Sequence, residues 1–179
     1  MSTQMATTPR GAHALTPASG AGLAGEAANI LFDEYLTFTL DREEYGVDIL
    51  KVQEIRGYDA VTRLPDAPPW IKGVINLRGT IVPVVDLRIR FRLGEPTYDA
   101  FTVMIILNVS GRVVGMVVDS VSDVTQLNPE TVRPAPELGS NLDSRYIAGM
   151  GTVDERMLIL LDIERLMLSP DMALVDPSD

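Results

Sequence analysis

A chain of 179 residues, 46% of them hydrophobic and with a formal net charge of -10, is the size of one ordinary domain or two very small ones. It has no cysteine and one histidine, His13, which excludes disulfides and zinc-thiolate sites and removes the usual general base. The acidic balance argues against nucleic acid and anionic lipid as partners, and no apolar run approaches the ~20 residues that span a bilayer.

In chain order, residues 1–32 are expected to form a flexible tail. Met1 to Asn29 is Ala, Gly, Thr, Ser and Pro with almost no bulky apolar residue, and it lacks the pattern of a signal peptide. From Tyr35 the chain alternates, with Leu36, Phe38 and Leu40 against Thr37, Thr39 and Asp41, and a polar turn over Asp41 to Glu44 predicts a hairpin whose second strand begins at Tyr45. Lys51 to Arg56 reads as a third strand, although Asp48 to Ile55 can also be drawn as a short helix. Pro68-Pro69 pre-sets φ for one helical turn through Trp70 and Ile71. Asn76-Leu77-Arg78-Gly79 is a turn that thrusts Arg78 outward, and the β-branched run Ile81 to Leu87 suits a strand buried on both faces.

The chain then repeats itself. Trp70, Ile71, Gly73, Asp86 and Leu87 fall on Tyr146, Ile147, Gly149, Asp162 and Ile163 at an offset of 76. At an offset of 69, Leu36, Phe38, Gly46, Val52, Ile55 and Pro65 fall on Ile105, Leu107, Gly115, Val121, Val124 and Pro134, so the first hairpin lands on a second one, Phe101 to Val109 with Arg112 to Val118, and the match runs on beyond it. Short strands at close spacing with little helix predict an all-β fold of two small barrels of about five strands each. Ile163 to Leu168 is expected to be a short helix near the C-terminus, followed by a turn over Ser169 to Val175 capped by Ser169.

The candidate chemistry is sparse. Duplicated Asp86 and Asp162 invite comparison with an aspartyl-type hydrolase dyad, but Leu87-Arg88 and Ile163-Glu164 follow them where small residues would have to admit substrate and water. An Asp ending a buried strand more often caps the next turn. Arg88, Arg90 and Arg92 raise the rival of a nucleic-acid-binding barrel pair, but they sit in an acidic chain. No phosphate loop or metal-ligand spacing is present, so no cofactor or metal is expected and the reading is binding rather than catalysis. Arg78 is the sharpest contact candidate, with Glu54 its natural tether.

The segments EEYGVDILKVQEIRGYDAVTR, WIKGVINLRGTIVPVVDLRIRF, VVGMVVDSVSDV and VRPAPELG resemble the CheW family of bacterial chemotaxis coupling proteins over essentially Glu34 to Asp176. The resemblance implies a CheW-like domain over 33–176, with a first repeat of about 34–92, a second of about 100–168 and a C-terminal helical segment over 163–176, folded as two packed five-stranded SH3-like barrels. It implies a cytoplasmic, non-catalytic adaptor between methyl-accepting chemoreceptor tips and the CheA histidine kinase regulatory domain, recruited to receptor arrays without inserting into the membrane. Carried over from the family, the receptor-facing residues are Val52, Glu54, Gly73, Arg78, Val103 and Val121; the kinase-facing residues are less sharply defined by the resemblance, and Ile49, Leu50, Ile55 and Tyr58 are the ones expected here.

Overall fold

The computed structural model describes residues 32–136 and 144–174, so the expected tail, apart from Phe32, and the last residues of the C-terminal segment lie outside the described part. In order come β1 (Asp33–Leu40), β2 (Glu43–Asp48), β3 (Val52–Gly57), β4 (Ile71–Leu77), β5 (Thr80–Asp86), α1 (Leu87–Arg90), β6 (Val103–Val109), β7 (Arg112–Val118), β8 (Ser120–Leu127), β9 (Ile147–Val153), β10 (Arg156–Leu161) and α2 (Ile163–Met167). The strands form two five-stranded barrels, ordered β9-β10-β2-β1-β8 and β3-β6-β7-β5-β4.

The barrels are not the repeats. Hairpin β1–β2 of the first copy lies in the barrel made by β8, β9 and β10 of the second, and hairpin β6–β7 lies with β3, β4 and β5 of the first. Each exchange is sealed by one parallel contact: Leu158 to Leu160 beside Glu44 to Gly46, and Val84 to Asp86 beside Gly115 to Val117. These are the same contact twice, because Leu160 opposite Gly46 is the repeat image of Val84 opposite Gly115.

That exchange decides where the core sits. Leu36, Phe38 and Leu40 of β1, with their counterparts Ile105, Leu107 and Val109 of β6, pack into one central core that also takes side chains from α1, α2 and β10. The opposite face of β6 sends Met104 and Ile106 into its own barrel with Leu77, Val82, Val84 and Val117, and Leu127, Leu158 and Leu160 fill the other. Burying each such large side chain contributes ~1.5–3 kcal/mol, and most of that burial lies between the barrels rather than inside either.

Several sequence expectations shift. The first hairpin turn is only Asp41-Arg42, and β2 begins at Glu43 because Glu43 and Glu44 pair with Leu40 and Thr39. Both readings of the third strand are partly realised: a single 3₁₀ turn, Ile49–Lys51, capped by the Asp48 carboxylate, precedes β3. After Pro68-Pro69 the chain makes one hydrogen-bonded turn, closed by Ile71 N–H to Pro68 O at 3.0 Å, but the turn is not continued as a helix because Ile71 already belongs to β4. Ile81 is 62% exposed, because β5 starts on a hairpin tip that overhangs the barrel and is buried only from Val82 on. Leu87 belongs not to that strand but to α1, whose cap is Asp86. The expected helix forms as α2, capped by Asp162, and a 3₁₀ turn at Pro170–Met172 is capped by Ser169.

Candidate functional site

Along β3 the side chains alternate, with Val52, Glu54 and Arg56 half-buried and Gln53, Ile55 and Gly57 exposed. The β4–β5 hairpin brings its tip beside Glu54. Asn76 Oδ1 accepts from Gly79 N–H at 2.8 Å, and both tip residues take positive φ, 51° at Arg78 and 89° at Gly79. Positive φ at a bulky residue costs roughly 1–2 kcal/mol, so the turn holds Arg78 against its backbone preference. Arg78 Nη2 donates to Glu54 Oε2, with the Arg78 side chain 65% and the Glu54 side chain 26% exposed. That hydrogen bond holds the Glu54 carboxyl below its usual range against a smaller opposing effect of burial, and it raises Arg78 in turn. The pair is therefore fully charged at neutral pH and aims a fixed guanidinium outward.

The other receptor-facing candidates are set differently. Val52, Val103 and Val121 are half-buried against the central core. Gly73 is buried with φ 146°, and a Cβ there would stand 2.0 Å from Thr62 O. Its absence lets Thr62 and Val74 exchange N–H···O bonds of 2.9 and 2.8 Å, which lay the loop after β3 over β4. Among the kinase-facing candidates, Leu50 is 87% exposed on the 3₁₀ turn, whose Lys51 pairs with Glu164. Ile55 is exposed, Ile49 rests on the central core, and Tyr58 stacks on Tyr98 with ring centroids 4.7 Å apart.

Asp86 and Asp162 cap helices instead of forming a dyad. Asp86 Oδ1 accepts from Arg88 N–H at 2.9 Å and Asp162 Oδ1 from Arg165 N–H at 3.1 Å. Asp86 is fully buried and further occupied by two bonds from the Arg88 guanidinium, at 3.0 and 2.9 Å, and by the Tyr98 hydroxyl at 2.7 Å. Arg88 also donates to Asp119 Oδ1 at 2.8 Å and to Thr97 O at 2.6 Å. Burial alone would lower the Arg88 pKa, but the bonds to Asp86 and Asp119 outweigh it and hold the pKa up; Tyr98 is pushed up by burial and then by Asp86. Sequence reading missed this clasp because its members are scattered along the chain. It also missed Phe101, 72% exposed on a turn where Asp99 Oδ1 accepts its N–H at 2.8 Å.

Among the described residues no His, Cys, Asp and Glu cluster could hold a metal ion, and no helix is long and apolar enough to cross a membrane. Fold and site together define a protein-binding scaffold: two fused barrels whose duplicated carboxylates serve the fold and whose most prominent polar group is an arginine offered outward. The CheW-like domain family model matches residues 34–170, and the chain belongs to that family. Chemotaxis protein CheW of Klebsiella aerogenes is 58% identical over 154 residues, covering 86% of this chain and 91% of its own. The Bacillus subtilis CheW is 35% identical over 135 residues, covering 75% and 86%. The crystal structure of scaffolding protein TtCheW from Thermoanaerobacter tengcongensis superposes with a TM-score of 0.70 at 32% identity, covering 75% of this chain and 87% of that one. The chain is thus a non-catalytic chemotaxis scaffold protein.

Proposed function

We propose that this scaffold couples methyl-accepting chemoreceptor tips to the regulatory domain of the CheA histidine kinase, in the cytoplasm at membrane-associated receptor arrays. The observation that carries the reading is Arg78, exposed, held in a left-handed turn and oriented by Glu54. A pre-organised guanidinium loses little freedom on binding, which is what a hot-spot residue requires. Val52, Glu54, Arg78, Val103 and Val121 make up the receptor-facing set, and Gly73 acts on it through the loop that it lets close over β4. Ile49, Leu50, Ile55 and Tyr58 make up the kinase-facing set, supported by the exposure of Leu50 and Ile55.

Each contact is expected near micromolar, about -8 kcal/mol, so that one small protein holds two partners and still lets them exchange. Simultaneous binding raises the effective concentration of kinase at the receptor and lets receptor conformation bias kinase activity. The test is to titrate isotope-labelled protein separately with a receptor tip and with the kinase regulatory domain. Arg78→Ala is expected to weaken the receptor contact about 30-fold while leaving the melting temperature unchanged. Because Glu54 orients Arg78, Glu54→Ala should add little to that loss in a double-mutant cycle. Full receptor affinity in Arg78→Ala would overturn the assignment.

A further inference from the structure

The Arg78–Glu54 pair has a repeat image that is not a pair. The offsets of 69 and 76 carry Glu54 to Asp123 on β8 and Arg78 to Asp154 at the tip of β9–β10, so the second copy has a carboxylate at both places. The backbone is kept, since Asp154 takes a φ of 48° where Arg78 takes 51°. Only the guanidinium is gone.

In its place there is a cavity of about 260 Å³. Asp123 and Asp154 both line it, together with Ser122, Thr125, Glu44 and Arg156. Arg156, the one cationic side chain among these lining residues, is already committed, because its Nη1 donates to Glu44 Oε1. The Asp123 carboxylate accepts only from the backbone N–H of Val124, at 2.7 Å, and the Asp154 side chain bonds to no described residue. Two carboxylates therefore face one cavity with no cation between them among the described residues.

Two acids by themselves name no ligand. Here the other copy of the same backbone names one: the carboxylate at the position of Asp123 is Glu54, and it holds a guanidinium through the bond from Arg78 Nη2. The hydroxyls of Ser122 and Thr125 offer further acceptors to a group that presents five N–H donors in a planar fork. The volume agrees. It takes one side chain rather than a drug-sized ligand, which fills about 300–1,000 Å³.

We propose that the cavity at Asp123 and Asp154 is a guanidinium-binding site, and that its occupant is an arginine side chain of a docked protein, filling from outside the place that Arg78 fills from within the first copy. The chemistry of the site is independent of the coupling role given above, whereas the docked protein is sought among the partners of that role and rests on it.

The first test uses the full chain and N-acetylarginine methylamide as the probe, read from the backbone amide shifts of Ser122, Asp123 and Asp154. The arginine probe should give saturable shifts there, and N-acetyllysine methylamide should need at least about threefold more ligand, because an ammonium lacks the fork. Shifts that sodium chloride reproduces at matched ionic strength, or that the lysine probe matches at equal concentration, overturn the guanidinium assignment. Asp123→Asn should abolish saturation, and its persistence there also overturns the site. Asp154→Arg supplies the missing group from the chain's own tip and should close the cavity to the probe, whereas Glu155→Arg makes the same charge change outside the cavity lining and should weaken the probe less. Equal losses in those two variants would mark a diffuse acidic field and refute the site. For the occupant, a receptor tip and a kinase regulatory domain are each titrated against the parent protein and both tip variants. A loss of at least about fivefold in affinity for one partner in Asp154→Arg, and a smaller one in Glu155→Arg, supports the docked arginine. Unchanged affinity for both partners in Asp154→Arg refutes that occupant and leaves the coupling role standing. Failure of both partners to bind the parent protein refutes the coupling role and the occupant together, while the small-probe result still decides the chemistry of the cavity.

Discussion

The β4–β5 and β9–β10 hairpins are one piece of backbone used twice with opposite chemistry. Both carry a register shift at the same place, between Ile71 and Gly73 and between Ile147 and Gly149. Asp86 N–H bonds to Trp70 O and Asp162 N–H to Tyr146 O, each at 2.8 Å. Both tips hold two residues at positive φ, yet one reads Arg78-Gly79 and the other Asp154-Glu155, and the position of Glu54 is taken in the second copy by Asp123. What the two copies share is what the fold requires. What they do not share, Arg78 foremost, the fold does not require.

The anchoring charges follow the same rule with their signs exchanged. In one place Arg88 of α1 meets Asp119, which also accepts the Asp41 N–H of the first hairpin turn at 2.6 Å. In the other Glu164 of α2 meets Lys51 and accepts the Ser110 hydroxyl of the second hairpin turn at 3.2 Å. Arg88 and its partner Asp86 are buried, whereas Lys51 and Glu164 are both part-exposed, so equal connectivity should carry unequal weight. Arg88→Met strands the Asp86 carboxylate in the interior and is expected to cost ~3–5 kcal/mol in urea unfolding. Lys51→Met should shift the same curve only slightly, since exposed pairs are screened. Similar losses for the two variants would erase the distinction.

The duplicated glycines sharpen it further. Gly73→Ala drives a Cβ into Thr62 backbone at a positive φ and is expected to cost ~3 kcal/mol. Gly149→Ala meets the Val132 Cγ1 methyl at 2.4 Å, which can turn aside, and should cost about half as much. At the tips, Glu155→Gly relieves a φ of 65° and should stabilise by about 0.5 kcal/mol. The smallest effect is in acid. The hydrogen bonds to Arg78 and Lys51 hold the Glu54 and Glu164 carboxyls below their ordinary range. Their contribution is present above the ordinary carboxylate pKa and fades as pH falls through the lowered one, so Glu54→Gln should flatten a slight loss of stability in acid.

Much of the molecule was legible in the sequence where a residue type is forced. The aromatic, glycine and aspartate of each half recur because bulge, close approach and helix cap recur, so the offset of 76 could be read directly. Asn76 and Gly79 announced the turn, and with it Arg78. The strand exchange was not legible, because β1 and β2 have the same pattern whichever copy of the buried strands they join. Ile81 misled because β-branched residues mark a strand without marking its overhang. Asp123 and Asp154 looked like two more charges in an acidic chain, since only the fold sets the tip of β9–β10 beside β8.

The exchanged hairpins also set the order in which the protein can be completed. Glu44 to Gly46 leave the ribosome early, yet their parallel neighbours, Leu158 to Leu160, are translated more than a hundred residues later. Until then the first hairpin holds an open strand edge and the exposed apolar faces of Leu36, Phe38 and Leu40. Nascent chains stalled before residue 147 should therefore be chaperone clients, and a circular permutant that opens the chain between the repeats should be made with that interval shortened.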